Sequence, residues 1–450
     1  MKKILLFLFT GVLLYSCIST KSRKEREREE NGKYDNPMVR DQQAADLIKD
    51  PALGYVPYDR LMKAVDQAID MKTNGPFPST PSSITAPLAW QERGPIYDSV
   101  GPSNGNGRGG GTGSTAGGHT AGRIRAFLLD TLNDPTGNTA FCGGVAGGLW
   151  KCTNFLSTVN NWAPIDDRFD NLAISSIGQD PINPSIIYFA TGEPTDNADR
   201  VTGAGVWKST NKGTSFAFLP GTGSFMRGFK IGCDAAGNVY LACRTHTTPV
   251  NQPNGLFRST NGGTTWTNIT PSDLSANSNA SCTDFEFTAS GNLNAMFGYR
   301  PTGNVVNHRY TNSPATVTPA TWSAGAGFRV SNAAAIRTEM GVAGNILYAI
   351  TVNPAYNTDS CYKSTDAGVT WTKQNTTILP GGLGSGQGWY NLSLAVNPSN
   401  TDELISGGLD AYRSVNSGTT WTKFTNWVST APYVHADHHY AQYWITAGQT

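Results

Sequence analysis

The residues best equipped for chemistry are His435-Ala436-Asp437-His438-His439, three imidazoles and a carboxylate within five positions. On a strand, alternation would put His435, Asp437 and His439 on one face and His438 on the other. Two neighbours could then share a metal ion. Four residues of strand span ~13 Å, whereas Zn–N bonds are only about 2 Å, so one ion could not take all three without outside ligands. The competing reading is a hydrogen-bond network on a packed strand, which apolar Ala436, Ala441 and Trp444 suit. A second stretch, Glu193-Pro-Thr-Asp196-Asn-Ala-Asp199-Arg200, carries three carboxylates. Paired carboxylates are what glycoside hydrolysis uses, one as acid and one as base or nucleophile. The same oxygens would suit a structural Ca²⁺ ion or a solvated loop. No other cofactor is implied.

Three further sets of residues could meet a ligand. Arg123 and Arg125 share a strand and could hold an anion. Trp389 and Tyr390 lie in a Gly-rich loop and could stack on sugar rings, although core packing would use them equally well. Asp410 follows a strand and could meet the histidines. Nucleophile and phosphate-loop patterns are missing: there is no Gly-x-Ser-x-Gly elbow and no paired-cysteine motif. Gly105-Asn-Gly107-Arg-Gly-Gly110 matches a dinucleotide fingerprint literally, but no apolar strand precedes it and no helix follows, so it reads as a loop. Beyond Cys17 the cysteines number six; Cys142 and Cys152, flanking the turn 143–148, are the best disulfide candidate, and Cys233, Cys243, Cys282 and Cys361 have no assigned partners.

What must position these residues is a repeating frame. Ser259-Thr-Asn261-Gly-Gly263-Thr-Thr-Trp266 recurs as Ser364…Asp366…Gly368…Trp371 and Ser414…Asn416…Gly418…Trp421, and with Phe216 in place of Trp as Ser209…Asn211…Gly213. Looser copies run from Cys152 to Trp162 and from Thr311 to Trp322. The anchors Cys152, Ser209, Ser259, Thr311, Ser364 and Ser414 are spaced by 57, 50, 52, 53 and 50 residues, a period that marks stacked or radial repeats. The chemistry is local. Ser and Asx oxygens accept from backbone N–H groups one or two residues on, Gly takes a positive φ, and the aromatic ring pins the turn.

Each repeat opens with an apolar strand, as at 124–129, 172–177, 229–233, 285–288 and 392–396. A second strand follows at 186–190, 239–242 and 347–351, and a third leads into the turn at 149–151, 206–208, 256–258, 362–363 and 412–413. Four short antiparallel strands per ~50 residues make the blade of a β-propeller. Abundant Gly (50) and Pro (25) with only 15% charged residues agree with an all-β chain of tight turns. A net charge of +1 leaves no basic surplus to drive binding to nucleic acid.

On these residues the turns resemble the Asp-box (BNR) repeats of sialidase-type propellers. The chain from 90 to 450 resembles a group of exported bacterial Asp-box propellers often labelled as glycosyl hydrolases. The residues carrying this are Trp90…Gly94-Pro95, Gly122-Arg123-Ile-Arg125, Gly147-Gly-Leu-Trp-Lys151, Thr191-Gly-Glu193-Pro194, Gly203-Ala-Gly-Val-Trp-Lys208, Gly386-Gln-Gly-Trp389-Tyr390 and His435-Ala-Asp437-His438-His439. The resemblance extends to xyloglucan-cleaving enzymes, the sortilin ectodomain and a photosystem assembly factor, so it implies catalysis, capture or assembly without choosing. Sialidases use three arginines and a Phe/Tyr-Arg-Ile-Pro motif that is missing before the first turn here; Phe328-Arg329-Val330 stands in the wrong place. The resemblance therefore does not carry sialidase activity.

The leading residues set location. Lys2-Lys3 and the apolar run 4–14 read as an export signal over residues 1–17, and Leu14-Tyr15-Ser16-Cys17 resembles a lipoprotein box, with Cys17 the lipidated residue. Residues 18–89 then form a charged tether, an amphipathic helix within 57–72 and a Pro/Ser linker. The propeller fills 90–450. Six turns give six blades, and 435–444 reads as the first strand of a seventh that this chain truncates, closed by the strand at Trp90; a six-bladed ring is the alternative. The expected function is a surface-associated binding or scaffolding module for a glycan or cell-surface protein, lipid-anchored at the outer membrane or else secreted. The alternative is a glycoside hydrolase with a carboxylate pair at the propeller mouth.

Overall fold

In the computed structural model of the chain, strands pair with their sequence neighbours into six separate four-stranded antiparallel sheets. The described residues are 123–444, interrupted at 198–199, 245–252, 275–276, 329–333, 375–385, 428–431 and 433, together with a few between 52 and 70. The blades span 124–164, 174–218, 228–268, 282–324, 337–373 and 393–423. First strands of successive blades pack side by side from blade 1 to blade 6, which makes the fold a six-bladed propeller. The signal, Cys17, the tether, the Gly-rich loop and the Trp90 strand lie outside the described residues. In the separate unit of residues 1–96, Arg60, Lys63, Asp66, Gln67 and Asp70 are helical and exposed, as the polar face of the expected helix would be; its apolar stripe lies outside the described residues.

The second strand of each blade is its buried spine. Ile187–Thr191, Val239–Cys243 and Leu293–Phe297 are buried at every position, because both faces of the sheet are covered by neighbouring blades. Apolar side chains accordingly gather into five clusters, one at each junction from blades 1 and 2 to blades 5 and 6. The sixth junction is different. Residues 435–444 lie there without forming a strand. The His438 N–H donates to the Gly408 carbonyl (2.8 Å) of blade 6, and the Tyr440 and Trp444 rings stand 6.4 and 5.5 Å from the Phe127 ring of blade 1. The expected seventh-blade strand is thus corrected to an irregular segment. Its Asp437 has φ +71, a value that breaks strand alternation.

The recurrent turn joins the third and fourth strands of a blade, and its geometry is nearly constant. Ser209 Oγ, Ser259 Oγ, Ser364 Oγ and Ser414 Oγ each accept from the N–H of the Gly four residues on, at 2.9 Å. The Asx side chain accepts from the N–H four residues beyond itself at 2.8–3.0 Å. In three of these turns the Ser oxygen also accepts from the N–H two residues on, at 3.2–3.4 Å, as expected, whereas the Asx oxygen reaches across the turn. Cys152 takes the Ser position in blade 1, with its Sγ 3.2 Å from Asn154 Oδ1. That accounts for the failed disulfide expectation: Cys152 pairs in register with Ala140 and Cys142 with Trp150, and all six described cysteines are free.

Each turn also sits on the blade before it. A Cβ on Gly213 would meet Phe141, on Gly263 Leu219, on Gly368 Asn294 and on Gly418 Cys361, all within 2.5 Å and all in the preceding blade. The preceding blade returns a cation. Lys151, Lys208 and Lys363 cross the rings of Phe141, Tyr188 and Tyr348 and donate to the Lys212 carbonyl, the Gly262 carbonyl and Ser417 Oγ of the next turn. Arg258 does the same toward the carbonyls of Pro314 and Val317.

This contact is separable from backbone strain. Gly418 has φ +80 and Gly344 has φ +61, but a Cβ at Gly344 meets nothing within 4 Å. Gly344→Ala should cost only the positive-φ penalty of about 1–2 kcal/mol. Gly418→Ala should add the overpacking cost of roughly 1–3 kcal/mol against Cys361. Urea unfolding of both variants checks this, and equal losses would refute the packing role.

Candidate functional site

The polar groups singled out from the sequence gather at one mouth of the central channel, where first strands begin and second strands end. Local backbone geometry puts the side chains there. Pairing skips a residue at Arg125 in blade 1, Ser175 in blade 2 and Thr283 in blade 4, so each is the extra residue of a β-bulge. A bulge bends the strand and re-aims its side chain, and all three line the channel cavity. Arg337 enters the same cavity as the first residue of its strand in blade 5.

The loop after the second strand of blade 2 holds two of the three expected carboxylates, and both are engaged. Glu193 is buried, and its Oε2 accepts from Val201 N (3.1 Å), Asn197 Nδ2 (3.2 Å) and Arg123 Nη2 (3.4 Å). Its Oε1 is buried without a partner. Asp196 accepts from Arg244 Nη2 at 2.8 Å and lies 3.5 Å from Arg300 Nη1. Burial works against the Asp196 charge, but Arg244, Arg300 and Arg200 outweigh it and hold the carboxyl below its ordinary range. Carboxylate oxygens facing guanidinium groups do not form a Ca²⁺ cage. Among the described residues no three His, Cys, Asp or Glu side chains are grouped to hold a metal ion. Asp199 lies outside the described residues.

Arginines dominate this mouth, and sequence reasoning found only two of them. Arg123 donates to the Tyr390 hydroxyl at 3.0 Å. Arg244 stacks on the Tyr299 ring at 4.4 Å and donates to the Pro194 carbonyl. Arg300 donates to the Tyr356 hydroxyl at 3.0 Å. Arg337 is held by carbonyls of Trp389 and Tyr390 and by Glu339 Oε2 at 2.9 Å. Arg125 and Arg227 are buried and have unpartnered guanidinium nitrogens. Burial and then the Arg337 charge lower the Arg125 pKa; burial and then Arg200 and Arg244 bring Arg227 down to about 10. Arg227, Arg244, Arg300 and Arg337 went unnoticed because each is a single residue at a strand end, with no local motif to mark it.

The histidine stretch does not assemble a metal site. His435 is exposed and contacts its neighbour's carbonyl, while Asp437 Oδ1 accepts from Asn391 Nδ2 at 2.6 Å. His438 faces blade 6, where Asp410 is near enough to favour its charge, though burial keeps its pKa below normal. Asp410 itself accepts from Lys423 Nζ (3.2 Å) and Trp427 N (2.9 Å). His439 turns inward, edge-on to the Tyr390 ring at 4.6 Å, and burial with Arg125, Arg337 and Arg123 around it holds it neutral. Tyr390 is buried by these contacts; Trp389 is half-buried beside Tyr390 and Tyr356.

Deeper in the channel, Lys230 bridges Asp284 Oδ1 (2.8 Å) and Glu286 Oε1 (2.7 Å). Burial raises Glu286 to about 7, against the pull of Lys230, and raises Glu339 to about 8 with Asp284 adding repulsion. The signs at the two levels are opposite. Asp196, lowered in the folded chain, contributes stability above its unfolded pKa that is lost as acid protonates it. Glu339, raised, contributes stability at acid pH that is lost as pH climbs through about 8. The melting-temperature deficit of Asp196→Asn should therefore be widest near neutrality and shrink in acid. Glu339→Gln should instead gain on the unsubstituted chain from pH 5 to pH 9, and parallel melting curves across that range would refute the assignment.

No protein-family model matches the sequence, and no curated protein matches it. Among solved structures the chain is similar to the GH74 enzyme of Niastella koreensis, with 20% identity, a TM-score of 0.48, 69% of this chain and 46% of that one covered. It is also similar to the GH74 xyloglucanase of Xanthomonas campestris (16%, 0.47, 68% and 46%) and to YCF48 from Cyanidioschyzon merolae (12%, 0.45, 69% and 87%). The chain thus spans less than half of either GH74 enzyme. The fold stands on the strand pairing itself, and no activity is carried over from these proteins.

Proposed function

We propose that this chain is an exported, surface-associated propeller that binds a glycan or a cell-surface protein at its arginine-lined mouth. One observation supports binding over cleavage. Glu193 and Asp196, the described carboxylates of the 193–199 loop, each face arginines, and Asp196 is held ionised. Glycoside hydrolysis needs one carboxyl kept protonated beside a second that is ionised. The groups that are offered at the mouth are donors and aromatic edges, suited to a ligand rich in acceptor oxygens.

A hydrolase is the second reading, and Glu193 favours it. Its Oε1 is buried and unpartnered while its Oε2 is held by three donors, the fixed posture of a working carboxylate. Both readings take the resemblance to Asp-box propellers as support for export and attachment through Cys17.

A panel of plant and bacterial polysaccharides, assayed in the same tubes for retention of the chain and for new reducing ends, separates them. Retention without cleavage is expected, and Arg244→Met should weaken it about tenfold, as loss of a charged hydrogen-bonding group does. Reducing ends that vanish in Glu193→Gln would establish the hydrolase instead. Retention on none, with capture of surface proteins, would move the binding reading to a protein partner.

A further inference from the structure

The junction of blades 4 and 5 is fastened differently from its neighbours. In blades 1, 2, 3 and 5 an aromatic residue of the second strand pairs in register with a cation of the third: Phe141 with Lys151, Tyr188 with Lys208, Tyr240 with Arg258 and Tyr348 with Lys363. In blade 4 that pair is Asn294 with Tyr310. Three residues before the anchor of the turn, the other third strands carry Leu149, Val206, Leu256, Cys361 and Ala411, all buried. Blade 4 carries His308 there, only 3% exposed. A chain of neutral hydrogen bonds takes the place of the cation. Trp371 Nε1–H, from the blade 5 turn, donates to His308 Nδ1 (3.2 Å) and to the Gly368 carbonyl (3.1 Å). An indole N–H only donates, so the imidazole hydrogen sits on Nε2 and is given to Asn294 Oδ1 at 3.0 Å. Asn294 Nδ2 then donates to the Ala367 carbonyl of the same turn at 3.2 Å.

This chain works with one protonation state. A proton added at Nδ1 would point an N–H at the indole N–H, and neither group could accept. The ring has little room to turn away: Trp371 stands edge-on at 4.9 Å, Phe328 lies at 5.8 Å, and a Cβ on Gly325 would overlap the imidazole. The charged groups on the packed elements give an imidazolium no counterion. Arg309, next on the strand, repels it and is itself paired with Asp273 at 2.6 Å. Asp366 of the blade 5 turn is held by Ser364 Oγ, Thr370 N and Thr370 Oγ1, Lys363 is turned to Asp402, and Lys373 is exposed. Burial, then Arg309, lower the His308 pKa from 6.5 to about 3. The contribution of a group lowered in this way is complete above its unfolded pKa and is lost as pH falls toward the folded value.

We propose that this junction is the ring's acid-sensitive fastening, at which protonation of His308 frees Trp371 and the blade 5 turn before the other junctions loosen. Amide hydrogen exchange of the full chain at pH 7 and pH 5, read by mass spectrometry and corrected for the chemical exchange rate, tests it. The blade 6 turn, 414–421, is the internal control, because it has the same Ser–Gly and Asx hydrogen bonds but packs on Cys361 where the blade 5 turn meets His308. Opening of 364–371 should rise roughly 25-fold from pH 7 to pH 5 relative to 414–421, as the titration of one imidazole freed on opening requires. The amide of His308→Gln can accept from Trp371 and donate to Asn294 without titrating, so this variant should remove the difference. Should it fail to fold, His308→Leu with Asn294→Tyr, which gives blade 4 the residue types of Leu256 and Tyr240 in blade 3, carries the same expectation. Equal change in the two turns of the unsubstituted chain overturns the proposal, and a difference that persists in the variant overturns the assignment to His308.

Discussion

The contact on which the ring depends is a cation reaching from one blade into the turn of the next. Lys151, Lys208, Arg258 and Lys363 each do this, three of them across an aromatic ring of their own blade. In the turns of blades 2, 3 and 6 the answer is a glycine, Gly213, Gly263 or Gly418, whose missing Cβ lets the backbone lie directly on the preceding blade. Between blades 4 and 5 the cation is replaced by Asn294 Nδ2, which donates to the Ala367 carbonyl. The aromatic residue ending the turn then completes the apolar cluster at the same junction: Trp371 between blades 4 and 5, Trp421 between blades 5 and 6. Turn chemistry and blade packing are thus one interaction seen from two sides.

Fixing the outer strands in this way sets the inner ones, and the inner ones set the site. Bulges at Arg125, Ser175 and Thr283 recur at the same end of the channel because the blades are held in the same orientation about its axis. The junction of blades 6 and 1 lacks a strand of its own. There, 435–444 supplies aromatic contacts to Phe127 on one side and a backbone hydrogen bond to Gly408 on the other. The same segment delivers His439 to the arginines, so the segment that helps fill the ring's seam also lines its throat. Mouth and deep channel differ in electrostatics: arginines hold Asp196 ionised above, while burial and repulsion from Asp284 favour protonated Glu286 and Glu339 below.

What was legible in the sequence was what is local. The turns announced themselves because Ser, Asx, Gly and an aromatic lie within eight residues, and the strands between them followed to within a few residues, with 124–129 matched at both ends. Glu193 and Arg125 were found at the mouth for the same reason, being embedded in short Gly-rich motifs. The arginines at 227, 244, 300 and 337 were not, because their meaning depends on the ring bringing strand ends together across more than a hundred residues. The histidine stretch misled in the opposite direction. A shared metal was weighed there against a hydrogen-bond network, both on a strand, but the positive φ at Asp437 and the packing of Tyr440 and Trp444 break that strand and spread its side chains among different neighbours. A disulfide between Cys142 and Cys152 looked natural by spacing until pairing set them two residues out of register.

The central claim is that the carboxylates of the 193–199 loop at the channel mouth are held by arginines for binding and are not set for cleavage. A crystal structure of the chain grown with a polysaccharide fragment that it retains tests it most directly. The account predicts an intact oligosaccharide within hydrogen-bond distance, ~3 Å, of the mouth arginines, with Glu193 and Asp196 still bound to theirs. A cleaved product seated against Glu193 Oε1 would contradict it.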